Sequence, residues 1–242
     1  MKAMIFAAGL GTRLKPITDT LPKALVPVAG KPLLEHVVLK LKQAGFDEII
    51  INIHHFGEQV IDFVRSQKSF GIRIEFSDER EKLLDTGGGI KKAAAFFDDG
   101  QPFLVHNVDI LSDIDLGQLY EAHLHAQSLA TLVVSERNTS RYLLFDSGGD
   151  LRGWINRLSG EIKSPDPYFQ VAGHRPLAFA GIHVLSPEIF RYMKSFPDKF
   201  SIIDFYLSLC NKGKITAFIP PRFRLMDVGK LDSLQQAERF FD

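Results

Sequence analysis

The chain has 242 residues, 45% of them hydrophobic, which suits one α/β domain with a sizeable core. Lys plus Arg and Asp plus Glu balance at 29 each, so no global field favours nucleic acid or an anionic membrane, and functional charge must be local. One cysteine, Cys210, excludes an internal disulfide and a multi-cysteine zinc site within one chain.

An apolar strand is predicted over Ala3–Ala7, running into a turn that holds Gly9 and Gly11. The apolar run is shorter than the roughly 7–15 residues of a signal-peptide core, and Arg13 and Lys15 follow at once. No run approaches the ~18 apolar residues of a membrane span, so a cytoplasmic location is expected. A helix is predicted over Leu33–Ala44, with Leu34, Val37, Val38 and Leu41 on one stripe and Gly45 ending it. Strand Glu48–Ile53, helix Glu58–Ser66, strand Ile72–Phe76, helix Ile90–Phe97 and strand Pro102–His106 follow. The runs Ile49-Ile50-Ile51 and Phe103-Leu104-Val105 are continuous rather than alternating, as strands buried on both faces of a parallel sheet require. Helix Leu116–Ala126 and strand Ala130–Val134 continue the βαβ rhythm, which predicts a Rossmann-like, doubly wound, mixed but mostly parallel sheet in a single α/β domain.

Tyr142–Ile155 reads as a hairpin about Asp146–Asp150, and Asn156–Arg175 as a loop on the substrate side. Strand Ala178–Leu185 precedes a helix with Ser186 as N-cap and Pro187 at its first position. Helix Ile202–Leu209, strands Ile215–Ile219 and Arg224–Met226, and helix Leu231–Phe241 complete the order. Cys210, in a stretch Leu207–Asn211 that reads as helical, is expected to be a buried, inert thiol.

The first turn carries the chemistry. Glycine lets backbone approach an anion and converge N–H groups on phosphate oxygens. Arg13 adds a charged fork, and Lys15 and Lys23 add point charges. Gly11 is followed by Thr12-Arg13 rather than Lys-Ser/Thr, which excludes a P-loop, and Leu14 stands where a dinucleotide fingerprint needs its third glycine. Asp109 and Asp227 stand at strand ends, where ligands of open α/β sheets gather. Asp113 and Asp115 rival Asp109 but read as the cap of the next helix. Asp85-Thr86-Gly87-Gly88-Gly89 reads as a second glycine turn opening a helix, its glycines expected to admit a ligand close to the backbone. His54-His55 reads as a loop pair, and His123 and His125 fall on different helix faces.

Ala7-Ala8-Gly9-x-Gly11-Thr12-Arg13-Leu14-x-Pro16-x-Thr18 followed by Pro22-Lys23 resembles the signature of the sugar-1-phosphate nucleotidyltransferases. These join a nucleoside triphosphate to a sugar 1-phosphate and release pyrophosphate. The resemblance spans almost the whole chain and implies the nucleotide-diphospho-sugar transferase fold, with a nucleotide-binding half at about 1–110 and a sugar-binding half at about 111–242. It implies nucleotide contacts from Ala7, Ala8, Gly9, Gly11, Thr12, Arg13, Thr86, Gly87 and Gly88, and catalytic roles for Arg13 and Lys23. It further implies substrate contacts from Asn107, Gly181 and Arg157, Gly181 leaving room for the hexose, and Mg²⁺ on Asp109 and Asp227. The Thr86-Gly87-Gly88-Gly89 form and the Phe179–Pro187 segment look most like the branch acting on N-acetylmuramate 1-phosphate with UTP, with mannose and heptose 1-phosphate guanylyltransferases as near neighbours. The implied partners are small molecules, with no nucleic acid or membrane. Val108 replaces a frequent Gly, Asn156-Arg157 a frequent Glu-Lys, and Lys230 a frequent Thr. A catalytically silent nucleotide-binding subunit is the rival reading from another class.

Overall fold

A computed structural model describes residues 1–241. Strand β1 (Lys2–Phe6) lies at the centre of the sheet, in parallel register with β4 (Glu48–Ile53) on one side and β6 (Phe103–Asn107) on the other. Between β1 and β4 come a small hairpin, β2 (Pro27–Val28) with β3 (Lys31–Pro32), and helix α1 (Leu33–Gln43). Helix α2 (Gly57–Ser66) crosses to β5 (Arg73–Asp78), which adds parallel to β4, and α3 (Asp85–Lys92) returns the chain to β6. A short strand β7 (Ile110–Ser112), helix α4 (Leu116–Ala126) and strand β8 (Ala130–Ser135) follow.

The hairpin β9 (Arg141–Phe145) and β10 (Leu151–Asn156), extended by the two-residue β11 (Ile162–Lys163), forms one end of the sheet. The long strand β12 (Arg175–Leu185) joins that hairpin to the centre, pairing antiparallel with β9, β8 and β6. Helices α5 (Ile189–Met193) and α6 (Ile202–Leu209) lead to β13 (Ile215–Phe218), parallel to β8. Finally β14 (Leu225–Asp227) pairs antiparallel with β7, and α7 (Leu231–Ala237) runs on as a 3₁₀ turn over Glu238–Phe241. In the ten-stranded sheet every strand runs the same way except β10 and β12, which is the expected mixed, mostly parallel arrangement.

The sheet has a core on each face. One holds Leu34, Val37, Val38 and Leu41 of α1 with Val60, Ile61 and Val64 of α2 and Leu119 of α4. The other packs Ile90 of α3, Ile189 of α5 and Phe205 of α6 against Met4, Val105 and Leu185. Burying both faces is what the continuous apolar strand runs require. Among the described residues no helix is long and apolar enough to cross a membrane.

Two local expectations fail. Ser186 does not cap α5: its hydroxyl donates to Ser128 O at 2.8 Å and meets His123 Nε2 at 3.0 Å, because it directly follows β12 and is held by Leu129 O through its own N–H. The glycine run is not a turn ahead of a helix; Asp85 to Lys92 is itself α3, and Gly87, Gly88 and Gly89 are buried in it. Cys210 is buried as expected, and burial pushes its thiol up to about 12.

Candidate active site

The carboxyl ends of β1, β4 and β6 meet at one cleft, the place where an open α/β sheet gathers its ligands. A cavity of about 330 Å³ opens there. Phe6, Ala8 and Gly9 form one wall, Leu83, Asp85 and Thr86 a second, and Asn107, Val108 and Asp109 a third. Lys23 and Lys199 supply its cations.

The first turn is held from below by one side chain. Asn52 Oδ1 accepts from Ala7 N at 2.7 Å and Ala8 N at 3.2 Å, while Asn52 Nδ2 donates to Glu79 Oε1 at 2.8 Å. The other Glu79 oxygen accepts from Leu84 N at 3.0 Å, at the start of α3. A buried carboxylate and amide thus tie the phosphate-turn wall to the α3 wall. Gly9 is exposed, with nothing within 4 Å of the Cβ it lacks, so its backbone is open to a ligand. Gly11 is left-handed at φ 64°, and a Cβ there would sit 2.8 Å from Thr18 Cγ2. Thr18 closes the bend by donating its hydroxyl to Gly11 O at 2.8 Å. Thr12, Arg13 and Leu14 follow as a 3₁₀ turn with Leu14 buried and Arg13 exposed. Lys15 is drawn aside to Asp19 at 3.0 Å.

The two candidate metal carboxylates come together through a pairing remote in sequence. Asp109 follows the end of β6, and the next residue, Ile110, lies opposite Asp227 in the β7–β14 pair. Asp109 O also accepts from Val228 N at 2.8 Å. Lys23 forms a half-buried ion pair with Asp109 Oδ2. Asp227 Oδ1 accepts from Gly229 N at 2.9 Å. A Cβ on Gly229 would lie 2.7 Å from Asp227 Oδ1 and 2.8 Å from Arg13 Nη2, so the guanidinium and the carboxylate face each other across a missing methyl. Two cations and two carboxylates thus belong to one constellation at the cleft's edge.

Among the described residues no group of three or more His, Cys, Asp or Glu side chains converges as a self-sufficient metal cage. The donor set still fits one hard cation. Mg²⁺ is bound through one or two carboxylates, the rest of its shell coming from water and substrate phosphates. The ammonium of Lys23 on Asp109 shows that this oxygen already accepts positive charge.

A family model for nucleotidyl transferases matches residues 2–242. The chain belongs to the nucleotidyl transferase family. It is 38% identical to N-acetylmuramate alpha-1-phosphate uridylyltransferase of Neisseria meningitidis serogroup B over 78% of this chain and 77% of that protein. It is 31% identical to mannose-1-phosphate guanyltransferase of Aspergillus fumigatus over 95% of this chain, but spans only 61% of that protein's length. A crystal structure of HddC from Yersinia pseudotuberculosis complexed with GMP-PN superposes with a TM-score of 0.78 at 26% identity, covering 100% of this chain and 99% of that one.

Within this nucleotidyl transferase, Ala8, Gly9, Lys23, Thr86, Asn107 and Asp109 line one cavity, and Arg13 and Asp227 meet at Gly229, next to the Val228 that bonds Asp109. Four expected residues do something else. Gly87 N and Gly88 N both donate to Phe200 O, at 2.9 and 3.3 Å, so they are engaged by the chain's own backbone rather than open to a nucleotide. Gly181, at φ 75°, makes room for the Asn107 amide, 2.6 Å from the Cβ it lacks, rather than for a hexose directly. Arg157 lies outside the cavity lining, its guanidinium 4.6 Å over the Tyr142 ring, because the β10–β11 turn is carried at the far end of the sheet from β1. Val108 is buried at the cavity wall. Asp115 caps α4 through Gln118 N at 2.9 Å and Asp113 pairs with Arg224, which leaves the site to Asp109. His54 bonds Glu79 O at 2.7 Å, a structural role. Asn52, Glu79 and Lys199 had no place in the sequence-based site; only the placement of Asn52 at the end of a strand beside the first could have flagged it.

Proposed function

We propose that this protein transfers a nucleoside monophosphate from a nucleoside triphosphate to a sugar 1-phosphate, releasing pyrophosphate, with UTP and N-acetylmuramate 1-phosphate as the favoured pair. The observation that carries the reading is the junction of the Gly9–Arg13 turn with Lys23, Asp109 and Asp227 at the ends of β1, β6 and β14. The choice of pair is supported by the Neisseria relative. The nucleoside lies between Ala8 and Thr86, and its phosphates follow the open backbone of the turn. Arg13 stabilises the charge that develops on the departing pyrophosphate. Lys23, beside Asp109 and in the cavity, holds a transferring or attacking phosphate as a point charge. The attacking oxygen belongs to a phosphate already ionised near neutral pH, so no general base is required. A magnesium ion on Asp109 and Asp227 would screen the repulsion between attacking and attacked phosphates. Fixing the two in line supplies the remaining acceleration. We infer a cytoplasmic role in supplying a nucleotide sugar for the cell envelope, consistent with a nucleoside triphosphate as donor.

A guanylyltransferase reading rests on the fungal mannose-1-phosphate relative and on the GMP-PN-bound HddC fold. UTP, GTP, CTP and dTTP, each offered with N-acetylmuramate, mannose, heptose and glucose 1-phosphates, separate the two by pyrophosphate release. We expect UTP with N-acetylmuramate 1-phosphate to give the highest kcat/KM. A preference for GTP with mannose or heptose 1-phosphate selects the second reading. Nucleotide binding with no turnover for any acceptor indicates a silent subunit.

A further inference from the structure

The cavity has a cation that its first turn does not supply. Lys199 lines it from the segment joining α5 to α6. It is exposed and, among the described residues, has no ion pair or hydrogen bond. Its neighbour Asp198 is engaged elsewhere, 3.6 Å from the Lys82 ammonium.

The backbone around Lys199 is seated, not loose. Phe200 O accepts from Gly87 N and Gly88 N, Phe200 N donates to Leu84 O at 3.3 Å, and Ile202 N donates to Thr86 Oγ1 at 3.0 Å. The seat requires glycine. A Cβ at Gly87 would meet the Phe200 ring at 2.2 Å, and one at Gly88 would meet Asp198 O at 2.0 Å. Gly87 and Gly88, costly inside a helix, therefore let the segment bearing Lys199 press directly on α3. Thr86, which also lines the cavity, is one of the clamps.

An unpaired ammonium on a fixed backbone, facing a cavity, is a ready partner for a phosphate dianion. The triphosphate has the Gly9–Arg13 turn and Arg13. Arg157, one of the expected substrate contacts, stacks on Tyr142 at the far end of the sheet and brings no cation to this cavity. We propose that Lys199 binds the phosphate of the incoming sugar 1-phosphate, an inference that rests on the transfer reaction proposed above.

The test compares wild type with Lys199→Met and Lys199→Arg. Acceptor KM is taken from pyrophosphate release at saturating triphosphate, and binding of non-hydrolysable UTP and GTP analogues is measured by calorimetry. Lys199→Met should raise acceptor KM by about tenfold to a hundredfold, the scale of one charge-assisted hydrogen bond, while analogue affinity stays within about twofold. Lys199→Arg should restore most of the loss. An unchanged acceptor KM, or a loss confined to analogue affinity, overturns the assignment while leaving the transfer reaction intact. A wild type that releases no pyrophosphate with any sugar 1-phosphate overturns the reaction and this assignment with it.

Discussion

Gly88→Ala separates two opposite expectations. Inside a helix, alanine is favoured over glycine by about 0.8–1.0 kcal/mol, so propensity alone makes the variant more stable. The structure reverses the sign. The new Cβ would stand 2.0 Å from Asp198 O, a backbone atom that cannot swing aside as a side chain can. The segment over residues 198–200 must lift, which loosens the bonds from Gly87 N and Gly88 N to Phe200 O, each worth about 1 kcal/mol. Phe200 is 9% exposed, and partial release of its ring forfeits a share of the roughly 1.5–3 kcal/mol that full burial of such a side chain contributes. Setting the helix gain against these losses leaves a destabilisation of about 2 kcal/mol, read from urea unfolding of wild type and variant. A gain of about 1 kcal/mol would refute the steric reasoning and return the glycine run to ligand approach as its explanation.

Asn52→Leu should cost about 2–4 kcal/mol in urea unfolding, because it strands Ala7 N, Ala8 N and the buried Glu79 carboxylate, and it should raise the KM for the triphosphate as the turn loses its support; a stability within about 0.5 kcal/mol of wild type argues against the network. Burial holds His106 and His123 down to about 4 and His183 to about 3. These imidazoles stay neutral in the native state, while the unfolded chain takes up protons below the ordinary value of about 6.5. Their contribution is thus complete above about pH 6.5 and drains away as pH falls towards 4, by up to about 1.4 kcal/mol per pH unit for each. Urea midpoints collected at about pH 7.5, 6 and 5 should decline in that order, and a flat series contradicts the buried neutral state.

The fold was largely legible because its signals are local. Continuous β-branched runs such as Ile49-Ile50-Ile51 suit strands covered on both faces, and they paired as the βαβ rhythm implies. The Gly9–Arg13 turn was legible for the same reason, since its glycines and cations are adjacent in the chain. The rest depended on distant contacts. Nothing near Asp227 announces that Leu225–Asp227 will pair with Ile110–Ser112 and bring it beside Asp109. Gly87 and Gly88 were misread because their partner, Phe200, lies more than a hundred residues on, and close approach by the chain itself leaves the same mark as close approach by a ligand. Ser186 was misread because one hydroxyl can serve either the helix after it or the histidine across the fold, and His123 won. Lys199 sits in a Pro197-Asp198-Lys199 stretch with no motif around it, so its chemistry exists only once α3 seats it at the cavity.

The most direct measurement is pyrophosphate release from UTP as a function of N-acetylmuramate 1-phosphate, for wild type and for Arg13→Ala, with magnesium present and then removed by chelation. Wild type should turn over only with both acceptor and metal, and Arg13→Ala should lose roughly a hundredfold to a thousandfold in kcat, as when one charge-stabilising donor is removed. Turnover that survives chelation, or an Arg13→Ala enzyme as fast as wild type, would contradict the assembly of turn, cations and carboxylates as one transfer centre.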